Sequence, residues 1–261
     1  LARTVFMGAT PTLPSAHKGL DKQRIFLGTA LPGDVPGNFH SALNHLANTA
    51  TYFYNSGSLY WYDTQANTTR TARAHAERLH KEDVWAEVMR RLQDHRKTAP
   101  DGFAGVHVAP DSSADVPDVP EVRLVIVPPA YLHNRKAKAD SPAAIWAKDV
   151  TEHRGSAART HRNMVAFLAA DDARWGELDS AVRDFLAWSY IRDNADKDLN
   201  LTAAQRQQAV DRVATHNQAV ADRLLQTYHW VLAPTQRDAT KPLEIEAFKD
   251  RKSTRLNSSH T

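Results

Sequence analysis

Val122–Pro129 reads VRLVIVPP, a short apolar run with almost no polar interruption. Strands covered on both faces have that composition, whereas half-exposed strands alternate. Upstream, FAGVHVA (Phe103–Ala109) has the same character, and a loop rich in Pro, Asp and Ser (Pro110–Pro120) separates the two. Downstream, SPAAIWAKDVTEH predicts a helix with Ser141 as N-cap and Pro142 in its first turn. NMVAFLAA (Asn163–Ala170) predicts another buried strand, and ARWGELDSAVRDFLAWSYI (Ala173–Ile191) another helix. Thr202 and Gln205 form a capping-box pattern at the head of a long helix. Its expected seam is Val210, Val213, Val220, Leu224, Tyr228 and Val231, and PLEIEAF (Pro242–Phe248) then reads as a strand. Strands alternating with helices predict a layered α/β portion with a mostly parallel sheet and a long C-terminal helix.

Residues 1–98 read differently. RTVFMGA (Arg3–Ala9) and RIFLG (Arg24–Gly28) are short apolar runs ended by or near glycine, and are expected to be extended. In FHSALNHLANTATYFY, Phe39, Leu43, Leu46, Ala50 and Phe53 fall at helical spacing, NSG ends the helix, and SLYWYDT reads as a strand. Helix, glycine turn and aromatic strand would suit the recognition helix and wing of a winged-helix module; a plain core helix on a sheet is the alternative. TTRTARAHAERL and DVWAEVMRRLQDH predict two more helices, and TAPDG marks a boundary near residue 100. The expected organisation is thus a helical portion over 1–98, an α/β portion over 99–249 and a tail over 250–261.

The tail changes the charge argument. The 261 residues carry a formal net charge of +3, and Arg251, Lys252 and Arg255 against Asp250 supply +2 of it. A body near +1 gives no global case for polyanion binding. DRKSTRLNSSH (Asp250–His260) matches, residue for residue, the translation of a common sequencing adapter, so readthrough without packed structure is expected there. Leu1 in place of a starting Met agrees with a piece of a longer chain. No run of eighteen apolar residues and no signal-peptide pattern occurs, so no membrane partner is expected. The absence of cysteine excludes disulfides and thiolate metal sites, and a cytoplasmic location is expected.

Several constellations carry possible chemistry. GTALPGD (Gly28–Asp34) has the glycine spacing of a phosphate loop, but Asp34 and Val35 stand where Lys and Ser or Thr are needed, so a plain turn is expected. His40/His45 and His75/His80 are each five apart, about 140° round a helix, so neither pair converges on a metal. Asp111, Glu121 and Arg123 loosely follow the PD…(D/E)xK nuclease order, with Arg in place of Lys. TEHRGSAARTHRN gathers Arg154, Arg159 and Arg162 into a candidate anion contact, which could face a neighbouring subunit in a homo-oligomer; a solvated loop is the alternative. Tyr60, Trp61 and Tyr62 with Arg70 and Arg73 are candidate nucleic-acid contacts, because rings stack on bases while cations hold phosphates. Aromatics packed in a core is the alternative there.

ARTVFMG, LGTALPGDVPGNFHSALNHL, SGSLYWYDTQANTTR, EHRG, HRNMVAFLAAD and AVRDFLAWSYI, taken in that order, resemble the C-terminal part of a family of very large bacterial P-loop (AAA-type) ATPases. Within it, the likeness is to the ATPases of phage-growth-limitation (BREX-type) defence systems, and it runs over nearly all of residues 1–247. The resemblance implies an ATPase that works with DNA-modifying and phosphatase partners to restrict phage. It also implies that ATP and magnesium serve a nucleotide-binding core lying upstream of these residues, since no Walker A motif occurs here and no cofactor is expected in this stretch. Arg3, Arg70 and Arg162 fall within the matching motifs and are its candidate anion contacts. The expected role is an accessory module that binds nucleic acid or a protein partner. A stand-alone metal nuclease using Asp111 and Glu121 and a protein-only scaffold are the alternatives.

Overall fold

The computed structural model describes residues 1–14, 18–50, 52–63, 67–96, 102–197, 199, 201–236, 238 and 240–249. The adapter-like Asp250–His260, with Leu256 inside it, lies outside them. The fold is mixed α/β. The chain forms two compact units, one of Leu1–Arg78 with Leu186–Ala214, the other of Leu79–Phe185 with Thr215–Thr261. The break expected near residue 98 therefore falls at Arg78/Leu79, and a later stretch returns to the first unit. No helix among the described residues is long and apolar enough to cross a membrane.

The first unit begins with α1 (Ala2–Ala9), β1 (Leu20–Asp21), α2 (Lys22–Leu27) and α3 (Pro36–Thr49). β2 (Phe53–Ser56), β3 (Leu59–Tyr62) and α4 (Thr68–Arg78) follow. The two runs expected to be extended are helices. Val5 and Ala9, four apart, are buried while Phe6 and Met7 are exposed, and an apolar run this short does not declare its period. Asp21 caps α2 by accepting the Arg24 N–H at 2.9 Å. α3 stops at Ala50, earlier than its apolar spacing suggested, because Phe53 and Tyr54 enter a hairpin instead. Gly57, at φ +58°, makes that hairpin's turn, and Phe53 pairs with Tyr62 and Tyr54 with Trp61.

β1 adds to the hairpin antiparallel, Leu20 opposite Tyr60, giving the order β1-β3-β2. Gly19 permits the approach, since at φ +100° a Cβ would lie 2.9 Å from the Tyr60 carbonyl oxygen. Val5, Ala9, Ile25, Leu43, Phe53 and Tyr60 form one core drawn from α1, α2, α3 and the hairpin. Helix, strand, two helices and a hairpin, with the first strand paired to the last, is the winged-helix arrangement. Within the same unit, His75 of α4 stacks on Tyr190 at 4.1 Å.

The second unit holds α5 (Lys81–Arg96), β4 (Gly105–Val108), β5 (Arg123–Ile126), α6 (Pro142–Glu152), β6 (His153–Arg154), β7 (Ala157–Ala158) and β8 (Val165–Ala170). α7 (Asp172–Asp193) and α8 (Ala203–Thr227) contribute residues to both units, and β9 (Tyr228–Thr235) and β10 (Glu244–Lys249) are the last described elements. The five-stranded sheet runs β10-β9-β8-β5-β4. β4, β5 and β8 are parallel, and β9 and β10 are added antiparallel. Ser141 caps α6 by accepting the Ala144 N–H, and Thr202 and Gln205 exchange the expected capping-box bonds.

α8 ends at Thr227, so Tyr228 and Val231 are strand residues, paired with Ala170 and Leu168, rather than part of a helical seam. Val210 is also off that seam, exposed on α8. Val125, Val127, Phe167, Ala169, Trp230, Leu232 and Ile245 pack under Ala143, Ala144, Ala147 and Val150 of α6.

Candidate nucleic-acid interface

α3 is amphipathic in a way its apolar stripe alone does not convey. Leu43 is buried, and Phe39 packs on Phe26 of α2 with ring centroids 5.7 Å apart. The opposite side exposes Asn38, Ser41, Asn44 and His45. Positions 38, 41 and 45 lie on one helical face, and 44 borders it. Amide, hydroxyl and imidazole groups hydrogen-bond base edges in the major groove, where the recognition helix of a helix-turn-helix lies. α3 carries no Lys or Arg. The cations of this unit stand on other elements: Arg3 exposed on α1, Lys18 exposed before β1, and Lys22 and Arg24 on α2. Arg24 is shared with Asp21 at 3.4 Å.

The aromatic triplet is divided by strand alternation. Tyr60 is 3% exposed and stacks on Phe53, with Tyr62 edge-on to Phe53 and Phe6. Tyr60 is therefore a core residue, with no face left for a base, and Tyr62 is half-buried in the same cluster. Trp61 points to the other side and stacks on Tyr54, centroids 5.8 Å apart. Burial pushes the Tyr54 phenol up, with Asp63 adding to the shift and Arg70 and a Gln205 hydrogen bond opposing it. Arg70 donates to the Phe53 carbonyl at 3.4 Å, and burial lowers its pKa. It ties α4 to the hairpin. Arg73 is exposed and paired loosely with Glu77 at 3.5 Å. Of the five residues, Arg73 is exposed, and Trp61 is half-buried with part of its surface packed against the same core as Tyr62.

The arginine cluster of the second unit is also divided. Arg159 is 2% exposed, and its guanidinium donates to the carbonyls of Val150, Pro117, Ser113 and Val116. Four of its five N–H donors go to carbonyls of the protein, so Arg159 is placed as an internal side chain rather than an exposed one. Asp118 accepts the backbone N–H groups of Thr160 and His161, which hold its carboxyl down at about 2. Arg154 and Arg162 are exposed, Arg162 donating its Nε to the Arg159 carbonyl.

The nuclease order does not assemble. Gly105 lies beside Arg123 and Val108 beside Ile126, so Glu121 precedes β5 at one end of the sheet and Asp111 follows β4 at the other. Glu121 pairs with Arg123 at 3.1 Å. Among the described residues no group of three His, Cys, Asp or Glu could hold a metal ion. GTALPGD connects α2 to α3, and Asp34 accepts the Leu31 N–H within it, so it does not form the strand-to-helix turn of a phosphate loop. His40 packs edge-on against Phe26 at 4.8 Å.

The residues missed by sequence reasoning are Asn38, Ser41, Asn44 and His45. Their signal was present as the polar remainder of α3, once the apolar face was subtracted. Comparison with protein-family models, curated proteins and solved structures finds no match.

Proposed function

We propose that this chain is an accessory nucleic-acid-binding module of a phage-defence P-loop ATPase, with α3 as its reading helix and the β2–β3 hairpin as its wing. The observation that carries the reading is the pairing of Leu20 with Tyr60, which closes a winged helix around α2 and α3. Charge supports it: residues 1–78 hold seven Lys and Arg against four Asp and Glu. Arg3, Lys18, Lys22 and Arg73 attach to phosphates, and Asn38, Ser41, Asn44 and His45 face the base edges. ATP and magnesium belong, on the sequence resemblance, to a core outside these residues, and the cytoplasmic partners are DNA and other defence subunits.

A short labelled duplex followed by fluorescence anisotropy tests this. Asn44→Ala with His45→Ala is expected to weaken binding about 10-fold, the scale of losing base-edge contacts. No binding of duplex, single strand or RNA at low salt would remove the reading. The chain is also expected to release no phosphate from ATP and magnesium, and robust turnover would overturn the accessory role.

A second reading is favoured by one observation. Leu27, Leu31 and Val35, on and after α2, are 84%, 72% and 61% exposed. Such side chains suit a protein partner, in which case the winged helix serves as a scaffold. Binding of DNA that responds to the α3 substitutions but not to Leu31→Ser separates the two.

A further inference from the structure

The segment that follows β5, together with β9 and β10, lines a cavity that the winged-helix reading does not use. Beyond the ends of β5 and β8, His133 and Asp171 form an isolated parallel bridge. The His133 N–H donates to the Ala170 carbonyl at 2.8 Å, and the Asp172 N–H to the His133 carbonyl at 3.1 Å. In open α/β sheets ligands bind outside the carboxyl ends of the strands, because loops diverge there. The cavity measures about 590 Å³, within the range of roughly 300–1,000 Å³ common to small-molecule sites.

Its lining divides into a charged part and an apolar part. Arg135, Lys138 and Lys249 contribute three cations against the single carboxylate of Glu246. None of the three cations has an ion-pair partner among the described residues. A smaller cavity of about 430 Å³ shares Arg135, Trp230 and Lys249 and adds Lys136 together with the carboxylates of Asp171 and Asp172, so the excess of cations is greater in the larger one. Trp230 and Ile245, both more than nine-tenths buried, supply the apolar wall.

Two further observations mark the place as built rather than incidental. Lys138 is held at φ +49°, a left-handed conformation that L side chains rarely adopt, and strain of this kind gathers at ligand sites. His133 is 1% exposed, packed on Trp230 at 4.8 Å, with Nδ1 hydrogen-bonded to Ser141 Oγ at 2.9 Å. Burial lowers the pKa of that imidazole, Asp171 pulling the other way and His229 adding to the shift.

We propose that this cavity binds a small phosphorylated molecule, with Arg135, Lys138 and Lys249 holding the phosphate and Trp230 and Ile245 receiving its apolar part. Three cations around one dianionic group favour phosphate over a carboxylate, and the Arg fork adds paired hydrogen bonds that a lone ammonium lacks.

Calorimetric titration of the whole chain with phenyl phosphate, inorganic phosphate and benzoate tests it. Phenyl phosphate is expected to bind at least 10-fold more tightly than either of the others. Arg135→Ala with Lys138→Ala should weaken it 10-fold or more, and both residues are exposed, so the variant should fold. Lys138→Gly separates binding from stability: it suits the left-handed backbone, so the melting temperature should hold or rise while affinity falls about 5-fold. Absence of heat for all three probes at millimolar concentration, or binding indifferent to these substitutions, overturns the proposal. So does displacement of phenyl phosphate by duplex DNA, which would assign the cations to a nucleic-acid backbone.

Discussion

Residues 1–78 with 186–214 hold eleven Lys and Arg against eight Asp and Glu, whereas 79–185 with 215–249 hold nineteen against twenty-one. The positive charge of the body therefore resides in the winged-helix unit, although the α/β unit has more arginines. In the α/β unit many of them are internal fasteners. Arg159 is spent on four carbonyls, and Arg91 reaches Glu87 and Asn217 while lying 4.5 Å over the Phe185 ring. Arg183 spans Asp179 and the Leu79 carbonyl. In the winged-helix unit Arg3 and Arg73 face outward, and Arg70 is the exception that proves structural. An arginine's meaning depends on whether its donors are already used, not on how many arginines stand nearby.

That contrast is open to attack at several points. Phe53→Ala empties the shared core of the first unit and should cost about 3–5 kcal/mol. DNA binding should vanish with the unit's cooperative melting, and retained binding would detach function from the winged helix. Arg159→Ala leaves several buried carbonyls unpaired, each of which costs roughly 1–3 kcal/mol, so a loss near 3 kcal/mol is expected. Thermal unfolding should register it as a drop of several degrees, with DNA affinity unchanged at temperatures where the variant is folded. An undisturbed melting temperature would count against that internal role.

Smaller effects sharpen the same division. Arg3→Ala and Arg73→Ala should each lower DNA affinity only a few-fold and flatten the salt dependence by about one unit of slope. Equal effects from Arg154→Ala would show that the second unit shares the contact. Asp118 supplies the pH test. Its folded pKa of about 2 lies below the ordinary value near 3.9, so its contribution is full above about pH 4 and is lost as pH falls toward 2. Asp118→Asn should therefore lower the melting temperature at pH 6, and the gap to the parent chain should close between pH 4 and pH 2. A gap that persists at pH 2 would mean the carboxylate's charge is not what Thr160 and His161 recognise.

The central strands were legible because burial on both faces demands the apolar runs that VRLVIV and VAFLAA display. Ser141 and the Thr202/Gln205 pair were legible because caps obey local chemistry. α1 and α2 were not: runs of five to seven apolar residues fit either period, and here the third dimension decided. YHWVLAPT was absorbed into the preceding helix for the same reason, which hid the antiparallel addition to the sheet. The wing was visible in outline, yet the pairing that defines it joins Leu20 to Tyr60 across forty residues of chain. The phosphate cavity left no sequence signal, since His133, Lys138, Trp230 and Lys249 come together only through the ends of strands.

Arg159 also bears on the order in which the chain takes shape. Parallel neighbours such as β4 and β5 are commonly joined through a helix, which satisfies its own carbonyls. Here the link contains a single 3-10 turn, Ser113–Asp115, and three of its carbonyls are satisfied by a side chain 42 to 46 residues later. During synthesis the edge strand β4 would emerge well before that side chain does, with its link to β5 still solvated. Locking of that edge is then a late event, slowed by the length of chain that must close. A region made this way is assembled from a distance, and its timing is set by residues that lie outside it.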